Sequence, residues 1–148
     1  MRLPESVSFR LHLAIFVEPY LQFILDGEKT VDSRFSTRRF APYNRVEKGD
    51  VVLLKKSSGP IVGICQVSYV WFYELDPESW RTIKGFADAI CAQDPDFWKQ
   101  REAASFATLM RIQNVKPIEP IKFVKRDRRG WVVLHERSNQ LQLDLGIL

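Results

Sequence analysis

The sequence is poor in the residues that build metal centres and covalent cross-links. Its 148 residues include two cysteines and two histidines. Cys65 and Cys91 are not spaced as a metal-binding pair, and two cysteines make no disulfide framework. A reducing compartment is therefore expected, with the cytoplasm as the location. His12 and His135 both fall in apolar, strand-like runs, so no zinc site, and no cofactor, is expected. A long apolar run is also missing. The stretch from Leu11 is interrupted by His12 and stops at Glu18, which fits neither a signal peptide nor a membrane span, and no membrane partner is expected. Strand and helix patterns do not alternate strictly, which argues against a doubly wound parallel sheet and for a mixed α+β barrel. With 45% hydrophobic and 27% charged residues, the composition excludes extensive disorder and fits one soluble domain over residues 1–148.

The net charge of +4 is mild, but it is unevenly distributed. Residues 34–56 hold seven Lys/Arg against two acids, and residues 122–129 hold five against one. These segments carry +5 and +4, so the rest of the chain sums to −5. Segregation of this kind suits a polyanion such as RNA or DNA. The plain alternative is that these are solvated loop residues on different faces.

Along the chain, Leu11 to Val17 reads as a first strand, and Pro19 to Asp26 as a short helix with Tyr20, Phe23 and Ile24 at helical spacing. Gly27 closes that helix by taking the left-handed conformation. Thr30 to Phe35 alternates as a strand, and Ser36 to Glu47 is a polar loop. Val51 to Lys55 and Ile61 to Phe72 read as a hairpin, with Gly63 marking a bulge or a close backbone approach. Asp76-Pro77-Glu78 starts a helix reaching about Ala92, with Trp80 on its apolar face, and Asp94-Pro95-Asp96 starts a shorter one to about Glu102. Phe106 to Ile112 and Trp131 to His135 are the last strands, separated by an irregular segment with an exposed turn at Lys125 to Gly130. Of Phe97 and Trp98, which are adjacent, at least one must face away from the core. The core spans about 11–135. The tail 136–148 alternates through Leu141, Leu143 and Leu145, as an added edge strand, a contact with a second copy or a frayed end would.

The stretch Gly27-Glu28-Lys29-Thr30-Val31-Asp32-Ser33-Arg34 carries the chemistry. Strand alternation puts Asp32 and Arg34 on one face, about 6.6 Å apart at roughly 3.3 Å per residue. A plain structural reading has these two pair to tie strand to strand. A functional reading has Lys29 and Arg34 hold a phosphate or a polar base edge, while Asp32 orients Arg34 or accepts from a base amino group. Tyr43, Trp71, Tyr73 and Trp131 are candidates for a stacking surface beside the basic residues.

The spacing Gly-x-Lys-x-x-acid-x-Arg resembles the signature of the ASCH family, a branch of the PUA-like superfamily. Gly27, Lys29, Asp32 and Arg34 stand at the motif positions. The flanking helix, the strand opened by Lys48-Gly49-Asp50-Val51 and the strand Ile61-Val62-Gly63-Ile64 follow the same order. The acidic position is usually glutamate, and Asp32 reaches one methylene less far. The resemblance implies an α+β, PUA-like mixed β-barrel of about six strands with about three flanking helices. It also implies a cleft that binds RNA or a modified nucleoside. On that reading Lys29 and Arg34 lie in the cleft, Tyr43 and Trp71 offer ring faces, and Arg38, Arg39, Arg45, Lys55 and Lys56 grip the backbone. The protein is then a monomer or a weak homodimer.

The resemblance extends to enzymes. Some small bacterial members look like N4-acetylcytidine amidohydrolases that use the motif lysine, a threonine at the acidic position and a downstream glutamate. Here Asp32 replaces that threonine, so the nucleophile does not carry over, although Lys29 does, and Glu74 or Glu78 are candidates for the glutamate. A ribonuclease would draw its base and its cation from Lys29, Asp32, Arg34 and Tyr43. In either enzyme Lys29 and Asp32 are the candidate catalytic residues.

Overall fold

The computed structural model describes residues 9–124 and 128–136. Its order is β1 (Leu11–Phe16), α1 (Tyr20–Leu25), β2 (Val31–Ser36), β3 (Val51–Lys56), β4 (Ile61–Glu74), α2 (Pro77–Lys84), α3 (Ala87–Ile90), α4 (Pro95–Lys99), β5 (Phe106–Ile121) and β6 (Trp131–His135). The strands form one curled sheet in the order β2-β5-β4-β3-β1-β6. Among the described residues only β1 and β3 pair in parallel; the other neighbours are antiparallel. This is the expected α+β fold of six strands, its barrel a curled half-barrel, with four short helices among the described residues instead of about three.

The central strands β1 and β3 are apolar on both faces, because both faces are covered. Ala14, Phe16, Val52 and Leu54 point into the cluster inside the curl, with Leu21, Ile24, Cys65, Val67, Met110 and Trp131. Leu11, Leu13, Val51 and Leu53 point the other way, onto Phe9, Ile61 and Ile64. A third cluster joins Val31, Ala107 and Leu109 to Ile83, Ile90 and Phe97 of the helices. Curling depends on register shifts in β4, at 61/63, 64/66 and 67/69 against β5. Gly63 sits at the first of them, where an added Cβ would lie 3.1 Å from Leu25 and 3.2 Å from Leu54. Both expectations for Gly63, bulge and close approach, hold.

Two expectations about elements need correction. The helix expected from Asp76 to Ala92 is broken. Asp76 and Ser79 form a reciprocal capping box, but α2 ends at Lys84, with Gly85 as its C-cap. The chain restarts as α3, which Cys91 closes in the left-handed region at φ 62°. Glycine is a poor helix former, and the break turns α3 so that its last carbonyls face β2. The segment expected to be irregular after Ile112 instead continues β5 to Ile121, despite Pro117 and Pro120. β2 pairs with β5 only from Phe106 to Arg111. Beyond that point β5 is an edge, where a missing N–H leaves no ladder bond unmade.

One buried network locks β1, β3 and β6. The Trp131 indole N–H can only donate, so at 3.0 Å it fixes His12 Nδ1 as the acceptor. His12 Nε2–H then donates to Asp50 Oδ2 at 2.8 Å. The same carboxylate accepts from the backbone N–H of Arg10 and Glu47, both at 3.0 Å.

Candidate functional site

The ends of the sheet, β2 and β6, approach each other without pairing, and Arg34 fills the seam. Its Nε donates to Asp32 Oδ2 at 2.9 Å. Its Nη1 donates to Ile15 O at 2.9 Å on β1 and to Gly130 O at 3.1 Å just before β6. The guanidinium also lies over the rings of Phe16 and Trp131, at 4.6 and 5.2 Å. One side chain thus supplies the polar contacts that a closed barrel would take from a strand ladder. Asp32 and Arg34 pair within β2, so the pair itself ties no two strands; Arg34 makes the tie, through Ile15 O on β1 and Gly130 O just before β6.

Lys29 is positioned by the end of α1. Gly27 takes φ +82°, as its place after the helix requires, and the chain reverses. Lys29 turns inward, 3% exposed. Its ammonium donates to Val31 O at 3.0 Å and to Ile90 O, the last carbonyl of α3, at 2.9 Å. Thr30 N takes the neighbouring Ala89 O at 2.9 Å. Helix-end carbonyls have no partner within their own helix, and here β2 and Lys29 provide one. An ammonium has three donors, so one remains beside the Asp32 carboxylate, 3.8 Å away. Burial pushes the Lys29 pKa below its ordinary value, against the opposing attraction of Asp32.

Asp32 lies on the inner face of β2, opposite Met110 on β5, and is 5% exposed. A carboxylate in apolar surroundings needs partners, and Arg34 and Lys29 are the two cations next to it. Its Oδ2 is taken by Arg34; Oδ1 faces Lys29 across the wider gap.

These groups line a cleft of ≈ 380 Å³ with Ile15, Phe16, Val17, Tyr20, Ser33, Phe35, Phe97, Gln100 and Arg101. Arg101, just after α4, donates to Phe97 O at 2.8 Å and stacks over the Phe97 ring at 3.6 Å. Burial lowers its pKa, though a guanidinium stays charged. The cleft thus carries three cations, Lys29, Arg34 and Arg101, around one anion. Among the described residues no group of three or more His, Cys, Asp or Glu could hold a metal ion. None of their helices is long and apolar enough to cross a membrane.

The cleft unites Lys29, Asp32 and Arg34 and leaves the other expected site residues outside. Arg38 is exposed. Arg39 pairs with Glu74 at 3.2 Å, and Arg45 pairs with Glu136. Lys55 is buried, its ammonium on Lys56 O at 3.1 Å, while Lys56 is exposed. The expected stacking surface is not assembled. Tyr43 is buried against Phe72 and Phe106, and Trp131 is 3% exposed in the His12 network, so neither offers a ring face to a base. Trp71 is half-buried beneath Phe86, Tyr69 and Arg111, and Tyr73 is half-buried. Trp80 stacks on Phe35, half-buried rather than in the core, and of Phe97 and Trp98 the first is buried. Arg101, Gln100 and Tyr20 are the cleft residues that sequence reasoning missed. No motif marks them; the start signals at Pro19 and at Asp94 predict the helices that carry Tyr20 and that lead to Gln100 and Arg101, without showing where either packs. Lys125 to Asp127 and the tail from residue 137 lie outside the described residues.

No family model matches the sequence, and no curated protein does. Solved structures match it closely in shape. The structure of ASCH from Zymomonas mobilis covers 93% of this chain and 94% of its own, with a TM-score of 0.69 at 13% identity. The fold is the ASCH fold. Two substituted forms of the Zymomonas mobilis protein, one tyrosine-to-phenylalanine and one serine-to-alanine, agree. Each has a TM-score of 0.65 at 12% identity and covers 93% of this chain, with 97% and 95% of their own. Within this fold, Gly27 turns the chain so that Lys29 lies beside Asp32 and Arg34 at one seam.

Proposed function

We propose that this chain binds RNA, with a base and its phosphate received in the seam cleft. The observation that carries the reading is unused hydrogen-bonding capacity at the cleft floor. Asp32 Oδ1 and the third Lys29 N–H lie side by side, 3.8 Å apart, one accepting and one donating. A base edge presenting an amino group beside an acceptor complements that pair. The cleft's excess of cations over its one carboxylate favours the attached phosphate. The ASCH fold supports the same reading through the resemblance in the motif.

The test mixes the protein with small cellular RNA at low salt and compares native and denaturing gels with those of the Asp32→Asn protein. RNA shifted but intact, and released by the substitution, is the expected result. If about four phosphates are neutralised, log K falls with log[salt] at a slope of roughly −3. No shift, or a flat salt response, overturns the proposal.

A second reading, a hydrolase acting on RNA or a modified nucleoside, draws support from Lys29. A desolvated amine with a lowered pKa beside a carboxylate is a common catalytic pairing. RNA shortened by the protein but not by Asp32→Asn would establish it. Lys29→Ala is the poorer probe, because it also strips two backbone carbonyls of their donor.

A further inference from the structure

A second cleft, of ≈ 790 Å³, lies beside the first, lined by Ile15, Lys55, the turn Ser57-Ser58-Gly59-Pro60, Lys122, Phe123, Val124, Arg128, Arg129 and Gly130. Among the described residues that line it, Lys55, Lys122, Arg128 and Arg129 are cations and none is an acid. Lys55, which is 6% exposed, places a buried ammonium in the lining. The two clefts are neighbours. Ile15 lines both, and Gly130 in the second accepts the Arg34 hydrogen bond from the first. A Cβ at Gly130 would sit 3.3 Å from Arg34 Nη1, so the divide there is a bare backbone. The contrast in charge is chemical. The seam cleft mixes acid and base, as reading a base edge requires, whereas the charged groups among the second cleft's described lining are cations, as following a phosphate backbone requires.

We infer that the second cleft holds the phosphates next to the nucleotide in the seam cleft, so that the ligand is a single-stranded oligonucleotide and not a free nucleoside. This rests on the RNA reading and adds the class of ligand to it. Lys122 and Arg128, exposed on the far wall, contact successive phosphates, and Lys55 sits in the floor.

The experiment compares two fluorescent probes by anisotropy: a nucleoside 5′-monophosphate and a single-stranded oligoribonucleotide of about six nucleotides. Each is titrated with the wild type, Lys122→Ala/Arg128→Ala and Asp32→Asn, after matched melting temperatures show that the variants fold. The wild type should bind the oligonucleotide at least about tenfold tighter, since each added phosphate contact releases counterions. The double variant should lose that advantage, lower the salt slope by about 1.4 and bind the monophosphate as before. Equal affinity for the two probes, or a double variant with unchanged oligonucleotide affinity and salt slope, overturns the inference and leaves the seam cleft standing. Binding lost in the double variant but untouched by Asp32→Asn instead overturns the seam-cleft reading and keeps the second cleft. A wild type that binds neither probe removes both.

Discussion

Asp50 and Asp32 are both buried carboxylates, 3% and 5% exposed, each beside a basic side chain, yet they end in opposite ways. Asp50 accepts from His12 and from two backbone N–H groups, and His12 accepts from Trp131. Every donor drawn to that corner is used within the protein. Asp32 takes one bond from Arg34, leaves its other oxygen facing Lys29 at 3.8 Å, and borders a cleft. A network that only holds strands together closes on itself, because an unmade buried hydrogen bond costs stability. The Asp32 network keeps capacity in reserve, as the proposed RNA ligand requires.

Substitutions separate the two corners, beginning with the most damaging. Asp50→Ala leaves the buried His12 and two part-buried backbone donors without acceptors. It should cost about 3–5 kcal/mol by urea denaturation, with RNA binding intact wherever the protein remains folded. Arg34→Met opens the seam between β2, β1 and β6, removing three hydrogen bonds and two ring contacts. A loss of about 2–4 kcal/mol is expected together with loss of RNA binding, so this position scores in both assays. Asp32→Asn keeps the shape and should cost only about 1–2 kcal/mol, while RNA affinity falls at least about tenfold. A stability loss at Asp32 as large as that at Asp50, with RNA affinity unchanged, would erase the contrast.

Lys29 adds a pH dependence. Its pKa is lowered by burial from 10.5 in the folded chain. Below the folded value both states hold the proton, and the full cost of burying the cation applies. Between the two values only the unfolded chain is protonated, so stability should rise with pH there and level off above 10.5. The gap in urea midpoint between wild type and Lys29→Met should widen in the wild type's favour through that window; a constant gap would place Lys29 outside the effect. The smallest change is expected at Arg39, whose exposed pair with Glu74 contributes less than about 1 kcal/mol. Arg39→Ala should leave the melting temperature in place and reduce the salt slope by about 0.7 only if Arg39 reaches a phosphate.

Much of the fold was legible because local chemistry and periodicity set it. Gly27 ends α1 since its backbone must go left-handed, and Asp76-Pro77 opens α2 since a carboxylate and a proline suit a helix start. Double-sided burial made β1 and β3 readable as apolar runs. The length of β5 was hidden, because Pro117 and Pro120 signal a break unless the strand is known to be an edge. The helix break at Gly85 was equally silent, since one glycine within a periodic pattern is often tolerated.

The same division runs through the cleft. By itself the sequence determined that Asp32 and Arg34 share a face and that Lys29 follows a forced turn, because strand period and glycine stereochemistry act over a few residues. The tertiary structure decided their partners. Arg34 binds carbonyls of Ile15 and Gly130, and Lys29 binds that of Ile90, and a carbonyl carries no side-chain signature. It also decided that Arg101 and not Tyr43 faces the cleft. Which side chain reaches a seam depends on how the helices pack across a curled sheet, and packing is settled among residues far apart in the chain.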